Sequence, residues 1–256
     1  MTMETFADGN MNPVMRIGDE VRRSLPTSWR GTHAVLRHLE NKGFPFSPRL
    51  LRHDAEFEWL TYLPGESVAA DLAGFRGDDL VRQAGMLIRD YHNAMTGFRP
   101  PADAGWIPQT GIPESDEVIC HSDIAPWNVV VREGTVIGLI DWDLLHPGPR
   151  VWDLAYAAWR FAPLYEDPAF GDVREKARRI VILLDAYDFP SGERGDFVMW
   201  IRRRAQSAFD TVEMLGRQGV LGFDRLFQQR LHHAGLPLAW LDSNAGELQR
   251  AITRGS

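Results

Sequence analysis

Two short segments of the chain carry residues that could perform chemistry on a phosphorylated substrate. The first, His121 to Asn128, contains Asp123, a carboxylate that could accept the proton of a hydroxyl group. The second contains Asp141 and Asp143. The amide oxygen of Asn128 and the carboxylate of Asp141 are hard donors of the kind that Mg²⁺ prefers. A proton acceptor beside a magnesium site is the combination that transfer of a phosphoryl group to a hydroxyl requires.

A predicted β-hairpin brings these side chains together. The runs 129–131 and 136–140 are rich in β-branched residues, and a Glu-Gly turn is expected between them. Asn128 therefore precedes one strand and Asp141 follows the other, so both oxygen donors lie at the same end of the hairpin. Taken singly, His-x-Asp and Asp-x-Asp fragments favour an alternative in which the carboxylates only cap turns. Their combination and order favour a functional site.

The same segments resemble the aminoglycoside phosphotransferase family, small-molecule kinases that share the protein-kinase-like fold and include choline and homoserine kinase relatives. The resemblance is carried by His121-x-Asp123-x-x-x-x-Asn128, by Ile140-Asp141-Trp142, and by Pro-Gly-Pro-Arg-Val-Trp-Asp-Leu-Ala at 147–155. The Asp-to-Asn spacing equals that of the protein-kinase catalytic loop. The likeness extends more weakly over nearly the whole chain.

This resemblance implies a role for each residue of the motif. Asp123 would be the catalytic base, Asn128 and Asp141 the Mg²⁺ ligands, and His121 and Asp153 the supports of the catalytic loop. Two interpretations remain open for Asp143, which would face the metal or cap the following turn. Trp127 and Trp142 adjoin the metal ligands in sequence and are expected to wall the site.

The implied fold is α+β and protein-kinase-like. Residues 1–63 are predicted to form a truncated nucleotide-binding lobe, a small β-sheet with one helix. Residues 64–256 are predicted to form a larger, mainly α-helical lobe that contains the catalytic hairpin and the acceptor site. In the first lobe, apolar residues at helical spacing predict a helix from Trp29 to Asn41. In the second, long apolar stripes separated by Pro and Gly predict several helices.

ATP or GTP would be the phosphate donor. By the resemblance, Tyr62 and Leu63 would offer a carbonyl and an amide to the adenine edge, and Leu60 would line the adenine pocket. The alternative for this segment is an ordinary strand-to-helix turn. Only Gly9 to Pro13 could serve as a phosphate-binding loop before the first clear strand, so that loop is short or its leading strand is missing.

The strand after the first hairpin contains no lysine to bind the phosphates. It carries Arg22 and Arg23 instead, and an arginine can bind phosphate with two hydrogen bonds. The alternative is that both arginines are solvated charges at a strand end. The helix from Trp29 has Arg30, Thr32 and His33 where a glutamate partner is expected, so the ion pair typical of this fold is not visible in the sequence.

Composition limits the class of protein. The chain has 256 residues, of which 44% are hydrophobic and 25% charged, and its net charge of −7 argues against nucleic acid as a partner. The apolar runs are too short to cross a membrane, and the first residues lack a signal peptide, so a cytoplasmic protein is expected. The single cysteine, Cys120, is expected to be a buried apolar residue.

The acceptor is expected to be a small hydroxylated molecule. An acidic surface is compatible with a cationic acceptor such as an aminoglycoside, and antibiotic resistance is one role that the family resemblance implies. Four acidic residues of the helical part could face such an acceptor: Glu166, Asp167, Asp185 and Asp188. The alternative is that these residues lie on solvated helix faces or cap turns. A second hypothesis is a weak or inactive kinase-like protein that binds a nucleotide or ligand. The intact motif residues argue against it, and the missing lysine-glutamate pair argues for it.

Overall fold

The computed structural model describes residues 3–6, 14–67, 77–220, 222–230 and 235–255. A small antiparallel sheet forms the N-terminal part of the chain, and helices dominate the remainder. The site residues lie where these two parts meet, in the loops around a central hairpin.

The N-terminal sheet has five strands in the order β1-β2-β3-β5-β4. They are β1 Met3–Phe6, β2 Val14–Ile17, β3 Glu20–Ser24, β4 Leu50–His53 and β5 Phe57–Thr61. Because β1 precedes the segment from Gly9 to Pro13, the suggestion that this leading strand is missing is wrong. The segment itself, predicted as the phosphate loop, lies outside the described residues.

One helix, α1 (Trp29–Asn41), crosses beside this sheet. Its buried face includes Val35, Leu36 and Leu39, which recur at helical spacing and join the main hydrophobic core. The helix ends before Gly43, whose φ of 70° is left-handed, and the N–H of Phe44 returns to the carbonyl of Leu39. This glycine-dependent end turns the chain toward β4.

The predicted hairpin is formed by β8 (Val129–Arg132) and β9 (Thr135–Leu139). Glu133 and Gly134 both have positive φ, 51° and 75°, which gives the two-residue turn whose twist matches paired strands. A short strand, β6 (Glu66–Ser67), pairs with β8 on its other side. A separate pair is formed by β7 (Val118–Cys120) and β10 (His146–Gly148), which bracket the hairpin in sequence.

Six helices make up most of the C-terminal part. They are α2 Asp78–Met95, α3 Arg150–Phe161, α4 Val173–Tyr187, α5 Phe197–Arg217, α6 Phe223–Arg230 and α7 Gly235–Arg254. Their shared core buries Trp152, Trp159 and Phe161 almost completely, and it includes the fully buried Cys120. Among the described residues, none of the helices has the length and apolarity that a membrane span needs.

Candidate active site

The loop between β7 and β8 places Asp123 and Asn128 in contact. The Asn128 side-chain Nδ2 donates hydrogen bonds to the Asp123 carbonyl at 2.9 Å and to Asp123 Oδ2 at 2.8 Å. Because the two atoms of an amide point apart, this orientation turns the Asn128 oxygen away from Asp123. The predicted base, Asp123, and the first predicted metal ligand, Asn128, are therefore adjacent. The orientation of Asp123 suits proton acceptance, and that of Asn128 suits metal binding.

Tyr156, on α3, is a further member of the site that the sequence reasoning did not identify. Its hydroxyl interacts with the nearby Asp123 side chain. Burial raises the pKa of this hydroxyl, and the negative charge of Asp123 adds to that shift against the opposing effect of Arg160 and Arg204. Tyr156 therefore remains a protonated donor. The available signal was its position three residues after Asp153, on the same side of the helix.

The backbone of the catalytic loop is held by Asp153. The carboxylate accepts the N–H groups of His121 and Ser122, each at 2.8 Å, and it accepts a hydrogen bond from His92 Nε2 at 3.1 Å. Burial alone would raise the pKa of Asp153, but the hydrogen bonds and charges of its partners lower it overall. The loop needs such support because Ser122 has a φ of 66°, a strained conformation for a residue other than glycine.

His121 lies beneath the loop and does not face an acceptor. Its Nδ1 accepts the N–H of Asp123 at 3.4 Å, and its ring packs edge-on against Trp142 with centroids 4.7 Å apart. Burial lowers the pKa of His121, so the ring is neutral at neutral pH. Trp142, expected to wall the metal site, is a core residue that is 1% exposed, whereas Trp127 is half-buried beside the loop.

Asp141 meets Asn128 at the end of the hairpin. The N–H of Ile140 donates to the Asn128 carbonyl at 2.9 Å, and Asp141 adopts a φ of 63°. The Asp141 side chain is 42% exposed, and its remaining surface is covered by protein atoms. Burial raises the pKa of Asp141 to about 7, with a further contribution from Asp143 and against the effect of Arg23.

These donors fit a divalent cation that is shared with a substrate. Nearby carboxylates make it costly for Asp141 to ionise, and a cation would relieve that cost. Within the described residues, no group of three or more His, Cys, Asp or Glu side chains could enclose a metal. The Asn128 oxygen and the Asp141 carboxylate would therefore supply two ligands, which leaves positions for phosphate oxygens and water, as Mg²⁺ sites commonly do.

Arg23 reaches this cluster from the N-terminal sheet. Its guanidinium donates to both carboxylate oxygens of Asp143, at 3.1 and 2.6 Å, and Nη1 lies 4.0 Å from Asp141. Arg22 faces the other side of β3, with its guanidinium 4.3 Å from the ring centroid of Phe57. Of the two candidate arginines, the structure thus brings Arg23 to the site. From the sequence, two interpretations are open for Asp143, which would face the metal or cap the following turn. In the structure, Asp143 pairs with Arg23.

A buried glutamate connects Arg23 to helix α1. Glu58, on β5, accepts from Arg23 Nε through Oε1 and bonds His33 Nε2 through Oε2, both at 2.5 Å. Burial would raise the pKa of Glu58, but His33 and Arg23 together lower it. The expected strand-to-helix ion pair is therefore replaced by an Arg-Glu-His chain in which the acid comes from a strand. The signal for it was a charged residue at an inward-facing position of an alternating strand.

The predicted adenine-binding residues lie on the segment that leaves the sheet. Leu60 is buried, and the N–H of Tyr62 donates to the Asp19 carbonyl at 2.8 Å. The Leu63 side chain packs directly on Gly138 of β9, where any β-carbon would collide with it. This contact links the segment to the strand that leads to Asp141.

Two of the four acidic candidates for binding a cationic acceptor are engaged elsewhere. Asp185 pairs with Arg194 at 2.7 Å, and Asp188 pairs with Arg89 at 2.9 Å. Asp167 accepts the N–H of Ala169 and so caps a turn.

Part of the sequence matches a family model, and most of the chain aligns with a known protein. A family model described as the phosphotransferase enzyme family matches residues 104–190, which include the catalytic loop and the hairpin. The trifolitoxin immunity protein of Rhizobium leguminosarum bv. trifolii is 34% identical over 201 residues, which cover 74% of this chain and 76% of that protein.

Solved structures show the same fold. A choline/ethanolamine kinase family protein from Mesorhizobium loti superposes with a TM-score of 0.65 at 17% identity, over 100% of this chain and 93% of that one. An amicoumacin kinase in complex with AMP-PNP, Ca²⁺ and Ami superposes with a TM-score of 0.64 at 11% identity, over 99% and 88% of the two chains. The prediction of an α+β, protein-kinase-like fold is confirmed.

Proposed function

Because the chain belongs to the phosphotransferase enzyme family, we propose that it transfers the γ-phosphate of ATP or GTP to a hydroxyl group of a small molecule. The observation that carries this proposal is the contact of Asp123 with Asn128, at the end of the hairpin where Asp141 also lies. A base and two oxygen donors for a cation are thereby gathered in one cleft.

Asp123 accepts the proton of the acceptor hydroxyl as the new oxygen-phosphorus bond forms. The bond from the γ-phosphorus to the bridging oxygen breaks in the same step, and ADP or GDP leaves. The Asn128 amide holds its carboxylate in one orientation, and the Tyr156 hydroxyl lies nearby. Such positioning matters because transfer demands an attacking oxygen in line with the leaving oxygen. His121 and Asp153 act through the loop: they fix its backbone and touch no acceptor.

The Asn128 oxygen and Asp141 would hold Mg²⁺ with the phosphates of the nucleotide. When bound, this ion supplies positive charge that offsets the charge of the transferring phosphoryl group. Arg23 supplies a second positive charge from the sheet side of the cleft. The adenine would pack on Leu60 and bond to the backbone of Tyr62 and Leu63, between residues 1–63 and the remainder of the chain.

A protective role is the biological setting we propose. The trifolitoxin immunity protein is named for protection against a toxin, and it covers most of this chain. The amicoumacin kinase, which has the same fold, is named as a kinase of amicoumacin. Phosphorylation of a toxic compound would place this chain in the same group of activities.

The Arg23-Asp143 pair favours one alternative, a kinase-like protein that binds ligands and turns them over weakly or not at all. This pair occupies a carboxylate next to the metal ligand, and the family's strand lysine is absent. In that case nucleotides bind but no acceptor is phosphorylated.

Thermal shift and turnover assays separate these functions. Mg-ATP and Mg-GTP are expected to raise the melting temperature in a saturable manner, because a ligand that binds only the native state stabilises it by mass action. A panel of hydroxylated compounds is then screened for acceptor-dependent release of ADP or GDP.

Matched variants assign the activity to the site. Asp123→Asn is expected to keep the nucleotide-induced shift and lose turnover, and Asp141→Asn to lose the magnesium dependence of that shift. Asp116→Asn, an exposed acid of the preceding loop, is the control and should behave as wild type. The absence of any nucleotide-induced shift would refute the proposed function, and binding without turnover of any compound would favour the alternative.

A further inference from the structure

Arg160, at the end of α3, lies in a cage of aromatic rings beside the catalytic base. Its guanidinium carbon is 3.6 Å from the ring centroid of Trp159, 4.9 Å from that of Tyr156 and 5.2 Å from that of Trp127. Tyr156 interacts with Asp123, and Trp127 immediately precedes Asn128. Arg160 is therefore separated from the site of proton transfer by a single tyrosine ring.

This guanidinium has donors without acceptors. Among the residues that the structure describes, its buried Nε and Nη2 find no hydrogen-bond partner, and no carboxylate forms an ion pair with it. Aromatic faces attract the charge of an arginine but do not accept all of its N–H groups. The positive charge of this half-buried guanidinium therefore has no negative partner among the described residues, and an anionic, oxygen-rich ligand would supply one.

The second arginine in this region also has a buried Nε without a partner among the described residues, but it is more deeply buried than Arg160 and is 3% exposed. Arg204, on α5, lies 4.4 Å from the ring centroid of Tyr156, on the same ring that Arg160 contacts. It is buried and donates to the Ser122 carbonyl, so it supports the catalytic loop. Two positive charges thus flank the ring of Tyr156, and the half-buried Arg160 is the more accessible of the two arginines.

We propose that the acceptor is a hydroxylated small molecule that also carries a carboxylate, and that Arg160 binds this carboxylate while Asp123 faces the hydroxyl. A planar guanidinium suits a carboxylate because it can donate two parallel hydrogen bonds. Trp127 and Tyr156 would contact the carbon chain between the two groups. This inference rests on the proposed kinase activity and makes Arg160 a determinant of acceptor choice.

The proposal departs from the cationic acceptor that the net charge of the chain had suggested. Net charge describes the whole surface, whereas recognition depends on the groups beside the base. There the charge is positive on the side of α3, and Asp185 and Asp188 are paired with arginines elsewhere. A polycation brought against Arg160 would meet repulsion.

The test uses matched acceptors that differ only in the carboxylate. L-Serine, L-threonine, gluconate and glucuronate are compared with serinamide, threoninamide, glucose and glucosamine, and kanamycin and choline represent cationic acceptors. Release of ADP or GDP is measured with the full chain, Mg²⁺ and the nucleotide, alongside stabilisation by each compound in the presence of Mg-AMP-PNP. Glycerol 3-phosphate is added to distinguish a phosphate group from a carboxylate.

Arg160→Met keeps much of the bulk and removes the charge. It is expected to lower kcat/KM for the preferred acid by about 10- to 100-fold, the usual effect of losing a hydrogen bond to a charged group. It should also abolish the preference of acid over amide and leave the nucleotide-induced shift unchanged. Arg160→Lys should recover part of the preference. Arg174→Met, an exposed arginine of α4, is the control.

Several results would overturn this inference and leave the kinase proposal intact. They are equal use of acids and amides, turnover of kanamycin or choline that is independent of Arg160, preference for glycerol 3-phosphate over every carboxylate, and nucleotide binding with no response to any acid. Failure of all nucleotides to bind would instead reject the kinase proposal itself.

Discussion

Arg23 and Asp143 form a two-pronged ion pair between the N-terminal sheet and the catalytic hairpin, with N–O distances of 3.1 and 2.6 Å. The same guanidinium bonds Glu58 through Nε, so one arginine joins a strand of the sheet to the segment that carries Asp141. Since Arg23 is 12% exposed and both acids are less so, these charges depend on each other for compensation. Sheet and hairpin are thereby fixed in one relative position at the site.

Removing this arginine should harm both stability and nucleotide use. Arg23→Met leaves Glu58 and Asp143 as buried charges without a cation, a loss that commonly costs about 3–5 kcal/mol. The free energy of unfolding, measured by urea denaturation, should fall by that order, and KM for the nucleotide should rise. Arg22→Met is the matched control on the other face of β3, and it should cost at most about 1 kcal/mol. Equal effects of the two variants would contradict the assignment.

Glu58 should make stability depend on pH in the acidic range. Its pKa in the folded protein lies below the ordinary value of 4.5 because the stabilising effect of His33 and Arg23 outweighs that of burial. A carboxyl group of this kind stabilises the fold above its unfolded pKa and loses that contribution as the pH falls through its folded pKa. The unfolding free energy should therefore decline below about pH 4.5, the unfolded pKa.

The Glu58→Gln variant isolates this contribution. Its unfolding free energy should be lower than that of the wild type at neutral pH, and the two curves should converge as the solution is acidified. Glu56→Gln, an exposed neighbour two residues away, should follow the wild-type curve. A constant difference between Glu58→Gln and wild type at every pH would show that ionised Glu58 does not carry the effect.

Asp153 should affect turnover through the loop and not through the substrate. The two carboxylate oxygens of Asp153 accept the N–H groups of His121 and Ser122. Asp153→Asn replaces one of these oxygens with an NH₂ group, which donates hydrogen bonds and does not accept them. The loop should lose its fixed position, and kcat should fall by about 10- to 100-fold with little change in nucleotide KM. Asp167→Asn, which caps a distant turn, is the control. A large rise in KM with unchanged kcat would argue against a positioning role.

Ser122 offers a test of the strain in this loop. Ser122→Gly and Ser122→Ala both remove a buried hydroxyl that has no partner among the described residues, but only glycine relieves the φ of 66°. The glycine variant should therefore be more stable than the alanine variant by about 1 kcal/mol. Equal stability in urea denaturation would mean that the conformation is not strained.

The features that could be read from the sequence are those encoded locally. The β-branched runs around Glu133-Gly134 specify a hairpin, and the hairpin alone brings Asn128 and Asp141 to one end. The helices from α2 to α7 follow the apolar stripes, with Pro and Gly between them, that predicted several helices in this part of the chain. These elements need no knowledge of distant contacts.

The features that could not be read depend on pairs that are far apart in the chain. The family resemblance predicts that the partner of Arg23 lies on α1. The partner is instead Glu58, which follows 35 residues later in the sequence and lies on a neighbouring strand. Tyr156 reaches Asp123 only because α3 packs beside the catalytic loop. Choosing Arg23 over Arg22 likewise required knowing which face of β3 meets the hairpin. In each case the register of packing, and not the type of residue, decides the contact.

The close approach of Leu63 to Gly138 has a consequence for how the protein could evolve. The φ of Gly138 is not left-handed, so this position requires glycine for space alone, and the atom nearest to an added β-carbon is the movable end of the Leu63 side chain. An alanine at 138 would thus displace Leu63 before it disturbed the hairpin. Its cost would appear as a lower free energy of unfolding, and a smaller residue at 63 would act as its suppressor.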